Sequence, residues 1–454
     1  MKLKQKTVVL LLIFSLFALS ACNDKEPQLD PHKPVTITMW HNFGGQMQQS
    51  MDVLVDEYNN TIGKDKGIII SVVSIAAFKD IENSLQLIAN GDPGAPEMPD
   101  LTVAYPKTAL FLLEEGLIAP LDEFLSPTEL NAYLPQFIEE GRLPDNKLYV
   151  FPIAKSTEVL FVNKTLFDRF AGSVNLSLED LTTFEGIAKA SSAYAKWSDE
   201  QTPTVENDSA SFYTADSWFN IALVGSAQLG DQFIEPNRLL LDNTSYKSVW
   251  DFTVQPAALG GHAITSSYSS DLSKTGEIIC STGSTAGILF YGDSVTYPDN
   301  TIESVEFVVL PYPTFANGTK VALQRGAGMV VAKSNPVKEE AAVHFLKWLT
   351  QPDQNINFIS MTGYLPVTKD AFENRLTDEM IKVENSNIRQ LLEVAITMFQ
   401  EYDFLTAPNY DAYDELSKAY EAQIKQIMLT AHNRYLAGEN LESLLEELRE
   451  DLLK

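Results

Sequence analysis

Residues 35–60 read VTITMWHNFGGQMQQSMDVLVDEYNN, and the passage changes period in its middle. Up to Met39, apolar Val35, Ile37 and Met39 alternate with Thr36 and Thr38, the two-residue repeat of a strand. Beyond the glycines, Met47, Met51, Leu54, Val55 and Tyr58 recur at helical spacing. Gly44-Gly45 is the expected turn between them. The intervening Trp40-His41-Asn42 admits three readings: a catalytic histidine, part of a glycine loop that cradles phosphate, or the rim of a non-catalytic binding cleft.

Downstream the same alternation repeats. Gly67 leads into IIISVVSI, a β-branched run suited to a buried parallel strand. Phe78, Ile81, Leu85 and Ile88 follow at helical intervals and stop at Asn90-Gly91. Asp100 then opens the strand-like LTVAYP, and Thr108 to Gly116 reads as a short apolar helix. Strand, helix, strand, helix predicts an α/β unit around a mostly parallel sheet. Later, Leu148 to Lys164 holds two strand-like runs around Pro152, and ICSTGSTAGILFY after Ile278 reads as a hydroxyl- and glycine-rich loop between apolar segments. Asn335-Pro336 with Glu339-Glu340 is a strong helix start. Tyr413 to Lys454 reads as helical, with Leu441, Leu444, Leu445, Leu448 and Leu452 on one stripe.

The chain has 454 residues, 45% of them hydrophobic, enough for two lobes each with its own core. Its formal charge of −28, without a basic patch, excludes nucleic acid as a partner. At the N-terminus, Lys2, Lys4 and Lys6 precede the apolar VVLLLIFSLFAL (Val8–Leu19), which has signal-peptide length and falls short of a membrane span. It ends in Leu19-Ser20-Ala21-Cys22, which resembles the lipobox of a bacterial lipoprotein. The expectation is a signal peptide over 1–21, a lipid on Cys22, and a polar tether over 22–34. The protein would then sit lipid-anchored on the extracytoplasmic side of the cell membrane. Cys280 would be the only other cysteine, so the mature chain has no intramolecular disulfide.

Several further stretches carry a resemblance. They are Trp40-His41-Asn42, the run from Phe151 through Ser156 and Thr157 to Leu160, Asn163-Lys164, Gly326-Ala327-Gly328, the run from Ala342 to Asn355, and Thr362 to Thr368. In this order the chain resembles the extracellular solute-binding proteins of ABC importers, in the carbohydrate-binding family, and it looks closest to the glycerol-3-phosphate-binding branch. The resemblance implies a periplasmic-binding-protein-like α/β fold of type II, with two hinge-linked lobes around a ligand cleft. The first lobe would hold 35–154 and 325–366, and the second 155–324 and 367–454. The chain would cross near Pro152–Lys155, Gln324–Arg325 and Tyr364–Val367. A monomer would capture a small carbohydrate-class solute and hand it to a membrane permease.

Sugars need flat aromatic faces against their C–H surfaces and polar groups for their hydroxyls. The aromatic candidates are Trp40, Tyr105, Trp218, Tyr364 and Trp250, each of which could equally be a core residue. His41 and Asn42 lie beside Trp40, and Gly326 sits at a hinge crossing. Ser156 and Thr157 follow the first crossing, where the branch has cleft hydroxyls. Ser284, within Ser281 to Gly287, could place a hydroxyl and backbone N–H groups at a helix start. The branch also uses a late arginine against phosphate, and the stretch from Phe404 to Tyr413 contains none. Arg325 is one substitute, although a plain hinge salt bridge explains it equally. The expected ligand is therefore a neutral sugar or oligosaccharide, with glycerol 3-phosphate or a glycerophosphodiester second.

An enzyme would need a reacting constellation. No nucleophile elbow, P-loop or H-E-x-x-H motif occurs. His32, His41, His262, His344 and His432 are scattered without metal-ligand spacing. Neither catalysis, a metal nor a cofactor is expected. A surface adhesin or sensor co-receptor on the same fold is the remaining rival.

Overall fold

The computed structural model describes residues 29–201, 210–410 and 412–454, so the expected signal peptide, Cys22 and the first part of the tether lie outside the described residues. The opening stretch folds as strand β1 (Val35–His41) and helix α1 (Gly45–Asn60). Gly45 supplies a left-handed φ of 56° at the turn. Helix α1 buries Met51, Leu54, Val55 and Tyr58 on one face. Strand β2 (Ile68–Ser74) pairs in parallel with β1 from Val35 opposite Ile68 to His41 opposite Ser74. It is an edge strand: Ile68 and Ile70 are buried while Ile69 and Val73 face solvent, so the expected burial on both faces is not met. Helix α2 (Phe78–Asn90) ends where the sequence stops it, with Gly91 in the left-handed region at φ 68°. Strand β3 (Leu101–Ala104) and helix α3 (Pro106–Glu114) complete this first run.

The second sheet is built from β4 (Glu158–Asn163), β5 (Tyr213–Ala215), β6 (Cys280–Ser284) and β7 (Phe307–Leu310), in the order β7-β4-β6-β5. Helices α4 (Trp218–Gln228) and α5 (Thr244–Ala258) belong to the same core. The hydroxyl-rich segment expected as a loop is strand β6. Its side chains are accommodated because buried tyrosines meet them: the Tyr213 hydroxyl lies 2.6 Å from Thr282 Oγ1 and the Tyr291 hydroxyl 2.8 Å from Ser281 Oγ.

The chain then runs through β8 (Val321–Gln324) into β9 (Gly328–Val331), which returns to the first sheet and pairs antiparallel with β3. That sheet has the order β9-β3-β1-β2. Helix α6 (Pro336–Leu349) packs on it, capped by Asn335, whose side chain accepts from the Lys338 N–H at 3.1 Å. Helix α7 (Ser386–Glu401), strand β10 (Asp403–Thr406) beside β8, and helices α8 (Tyr413–Leu436) and α9 (Leu441–Leu452) finish the fold. The C-terminal helical run breaks at Gly438, with φ 93°, and restarts at Asn440.

Two apolar cores result. One gathers residues from Ile37 to Ala154 and from Met329 to Phe372, the other residues from Val159 to Leu323 and from Leu376 to Leu448, with Ile359. Val367 and Phe372 pack in the first core.

Candidate functional site

Two segments that pass between the cores, at Lys155–Ser156 and at Gln324–Arg325, lie hydrogen-bonded side by side, with Leu365 paired next to them. Lys155 and Leu365 exchange backbone bonds at 3.3 and 2.6 Å, and Ser156 and Arg325 exchange them at 3.0 and 2.8 Å. Gly326 has φ 92°, and a Cβ there would stand 3.0 Å from the Ala154 carbonyl oxygen. Beneath the crossing, the Lys155 ammonium is buried against Glu140 at 2.7 Å, and Gln324 donates to the same carboxylate. Burial pushes the Lys155 pKa down, and Glu140 opposes that shift. Such a desolvated pair holds only while both partners are present.

Above the crossing a cleft of about 680 Å³, its open mouth included, separates the cores. Asn42, Phe43, Phe78 and Tyr105 line it from the first core, Ser284 and Ala286 from the second, and Ser156, Arg325, Gly326 and Tyr364 form its floor. The turn after β1 places Asn42 and Phe43, and the equivalent turn after β3 places Tyr105. Tyr105 is 41% exposed and meets Phe78 edge to face at 4.8 Å. Tyr364 stacks on Phe358 at 6.1 Å and 16° and meets Phe43 at its edge. Both tyrosines are held in place by neighbouring rings, a cheap way to present a flat face. Ser284 caps the short helical turn Thr285–Phe290, its Oγ accepting from the Ala286 N–H at 3.3 Å. A second compartment of about 1290 Å³ shares Phe78, Tyr105 and Arg325 and continues past Asn220 toward Asn409 and Tyr413.

Arg325 is the charged group common to both compartments. Its guanidinium is about one-third exposed and reaches Glu158 at 2.9 Å, whose side chain is 3% exposed. Asn220 Nδ2 donates to the same Glu158 oxygen at 2.7 Å. Burial raises the Glu158 pKa, and the nearby Arg325 charge counters it.

The structure brings six of the expected residues into the cleft: Asn42, Tyr105, Ser156, Ser284, Gly326 and Tyr364. Five others are elsewhere. Trp40 is 8% exposed and packs in the first core. His41 is fully buried, and its Nδ1 accepts from the Phe43 N–H at 3.2 Å. Burial lowers its pKa. Thr157 is buried with its hydroxyl donating to the Leu323 carbonyl at 2.9 Å. Trp218 is 1% exposed among Tyr213, Phe252 and His262, and Trp250 is likewise core. Phe43 and Phe78, which the sequence reading left out, line the cleft. Their signal was positional: Phe43 stands in the turn after β1, and Phe78 is the first residue of α2. Among the described residues, no group of His, Cys, Asp or Glu could hold a metal ion.

Two α/β cores joined at paired segments, with an aromatic and polar cleft between, define a two-lobed binding protein that encloses a small solute. A family model for bacterial extracellular solute-binding proteins matches residues 54–385, and the chain belongs to that family. It is accordingly a solute-binding component of importer type and not an enzyme. Its fold is similar to that of the cyclic alpha-maltosyl-1,6-maltose binding protein from Arthrobacter globiformis, at TM-score 0.68 and 18% identity over 92% of this chain and 97% of that one. UgpB from Mycobacterium tuberculosis, in complex with glycerophosphocholine, gives TM-score 0.65 at 16% identity over 92% and 98% of the two chains. The ABC substrate-binding protein Lmo0181 from Listeria monocytogenes, in complex with cycloalternan, gives TM-score 0.65 at 17% identity with the same coverage. No curated protein matches the sequence.

Proposed function

We propose that the protein captures a neutral sugar or oligosaccharide between its lobes and delivers it to the membrane permease of an ABC importer. A lipid on Cys22 would hold it, as a monomer, on the extracytoplasmic face of the cell membrane. The moving bodies are residues 35–154 with 325–372, and 156–324 with 376–454. Solute contacts made from both sides at once favour the closed arrangement. The observation that carries the reading is the lining: Tyr105 and Tyr364 offer ring faces, and Asn42, Ser156 and Ser284 offer amide and hydroxyl groups, while Arg325 is already paired. Two structurally similar proteins are described by the cyclic oligosaccharides they bind.

A second reading, a glycerophosphodiester, is favoured by the exposed part of Arg325 and by the glycerophosphocholine bound to a protein of similar fold. A thermal-shift panel on the mature protein separates them. A ligand at 100 times its dissociation constant adds about 2.7 kcal/mol of stability. Neutral sugars should raise the melting temperature; a shift with glycerophosphodiesters alone would replace the first reading with the second.

A further inference from the structure

Arg325 stands where the two compartments meet, and a planar guanidinium fork is the usual bidentate partner of a phosphate. Three observations argue against that use here. Glu158 occupies one of the terminal nitrogens from the buried side, at 2.9 Å. Asn220 donates to the same Glu158 oxygen at 2.7 Å, which fixes the carboxylate at the start of β4. A further carboxylate, Asp216, lies close enough to act on both Arg325 and Glu158, and it is held by the Ser269 hydroxyl at 2.6 Å.

An incoming phosphate would therefore meet a guanidinium already neutralised. Displacing Glu158 would leave a buried carboxylate without its cation, a costly state. Adding to the pair without displacing it would bring a second anion toward Glu158 and Asp216 in a poorly hydrated site. A hydroxyl accepts from the remaining Arg325 N–H groups without either penalty. Two of the lysines that line the second compartment are paired as well, Lys79 with Glu82 and Lys107 with Asp414.

We infer that Glu158 is a specificity-determining residue: by clamping Arg325 from behind, it makes the cleft's guanidinium a hydroxyl donor and keeps phosphate-bearing solutes out. The inference deepens the neutral-solute reading and rests on it for the identity of what is admitted. Its test does not, because the probes are inorganic phosphate and glycerol 3-phosphate, titrated calorimetrically into the wild-type protein, Glu158→Gln, Arg325→Gln and the double variant.

Glu158→Gln keeps an oxygen for Asn220 and removes the charge. It should bind the phosphates about tenfold more tightly than wild type or better, and the double variant should lose that gain. A folded Glu158→Gln protein, checked by its circular-dichroism melt, with no gain would overturn the inference. Wild-type phosphate binding that Arg325→Gln abolishes would overturn it too, and that measurement stands even if Glu158→Gln does not fold. The two ideas fail separately. If no neutral sugar binds but Glu158→Gln gains phosphate, the carbohydrate reading falls and the role of Glu158 stays; sugar binding without that gain does the reverse.

Discussion

Lys107, in the first turn of α3, and Asp414, in the first turn of α8, form an ion pair of 2.6 Å that links the two cores across the second compartment of the cleft. Both side chains are about 40–50% exposed, so the pair is screened by water and salt. Its worth to folding is about 0–1 kcal/mol. Its worth to closure is different in kind, because the pair is lost when the lobes part. Lys107→Ala or Asp414→Ala should leave the melting temperature of the free protein nearly unchanged. Solute affinity should fall about two- to fivefold, chiefly through faster release, and the difference from wild type should shrink in high salt. Stopped-flow dissociation at two ionic strengths checks this, and equal release rates would deny the latch.

The two cleft tyrosines and the core tryptophan should separate binding from folding. Tyr105→Ala and Tyr364→Ala are each expected to weaken a neutral solute about tenfold, the scale of one lost aromatic face. Trp218→Ala, at 1% exposure, should instead cost about 3–5 kcal/mol of stability. Calorimetric titration beside denaturant melts distinguishes the cases. A Trp218→Ala protein that melts normally but fails to bind would return that residue to the cleft.

At the crossing, Gly326→Ala forces a side chain into a backbone conformation with φ 92° and against the Ala154 carbonyl at 3.0 Å. A loss of about 1–3 kcal/mol is expected in urea unfolding. An unchanged midpoint would mean that the floor of the cleft relaxes freely.

Acid should destabilise the protein partly through His262. Burial holds its pKa at about 3 in the fold, against 6.5 when unfolded. Between those values the unfolded chain binds the extra proton, so the contribution is full above 6.5 and is lost as pH falls through the window. The slope is about 1.4 kcal/mol per pH unit for such a group. Burial lowers the pKa of His41 too and adds in the same direction. Denaturant titrations at several pH values should show a flatter acid limb for His262→Phe, whatever its absolute stability. A limb of unchanged slope would assign the acid sensitivity elsewhere.

Much of the scaffold was legible because its signals are local. The period change around Gly44-Gly45, the stop at Gly91 and the Asn335-Pro336 start each depend on residues within one turn of one another. Side-chain direction was less so. Alternation along β1 suggested one covered face, but at its C-terminal end Trp40 also packs into the core. In α4 Ile221, Ala222, Leu223 and Val224 are all buried, so helical spacing could not tell which way Trp218 points. A hinge salt bridge was one reading of Arg325, but its partner Glu158 had no sequence signal: the two lie on segments brought together only when both cores have formed. The cleft was readable where position alone decides, at strand-to-helix turns such as those carrying Asn42 and Tyr105.

The return of β9 to β3 bears on how the protein is made. Residues 101–104 cannot complete their sheet until residues 328–331 have left the ribosome, and residues 159–323 of the second core are strung between them. Assembly of the first lobe is thus a late, long-range event, and such topologies fold slowly. For a member of a family that works outside the cytoplasm, that delay is useful. A first sheet left open for that long would suit a chain that must remain extended until it has been exported.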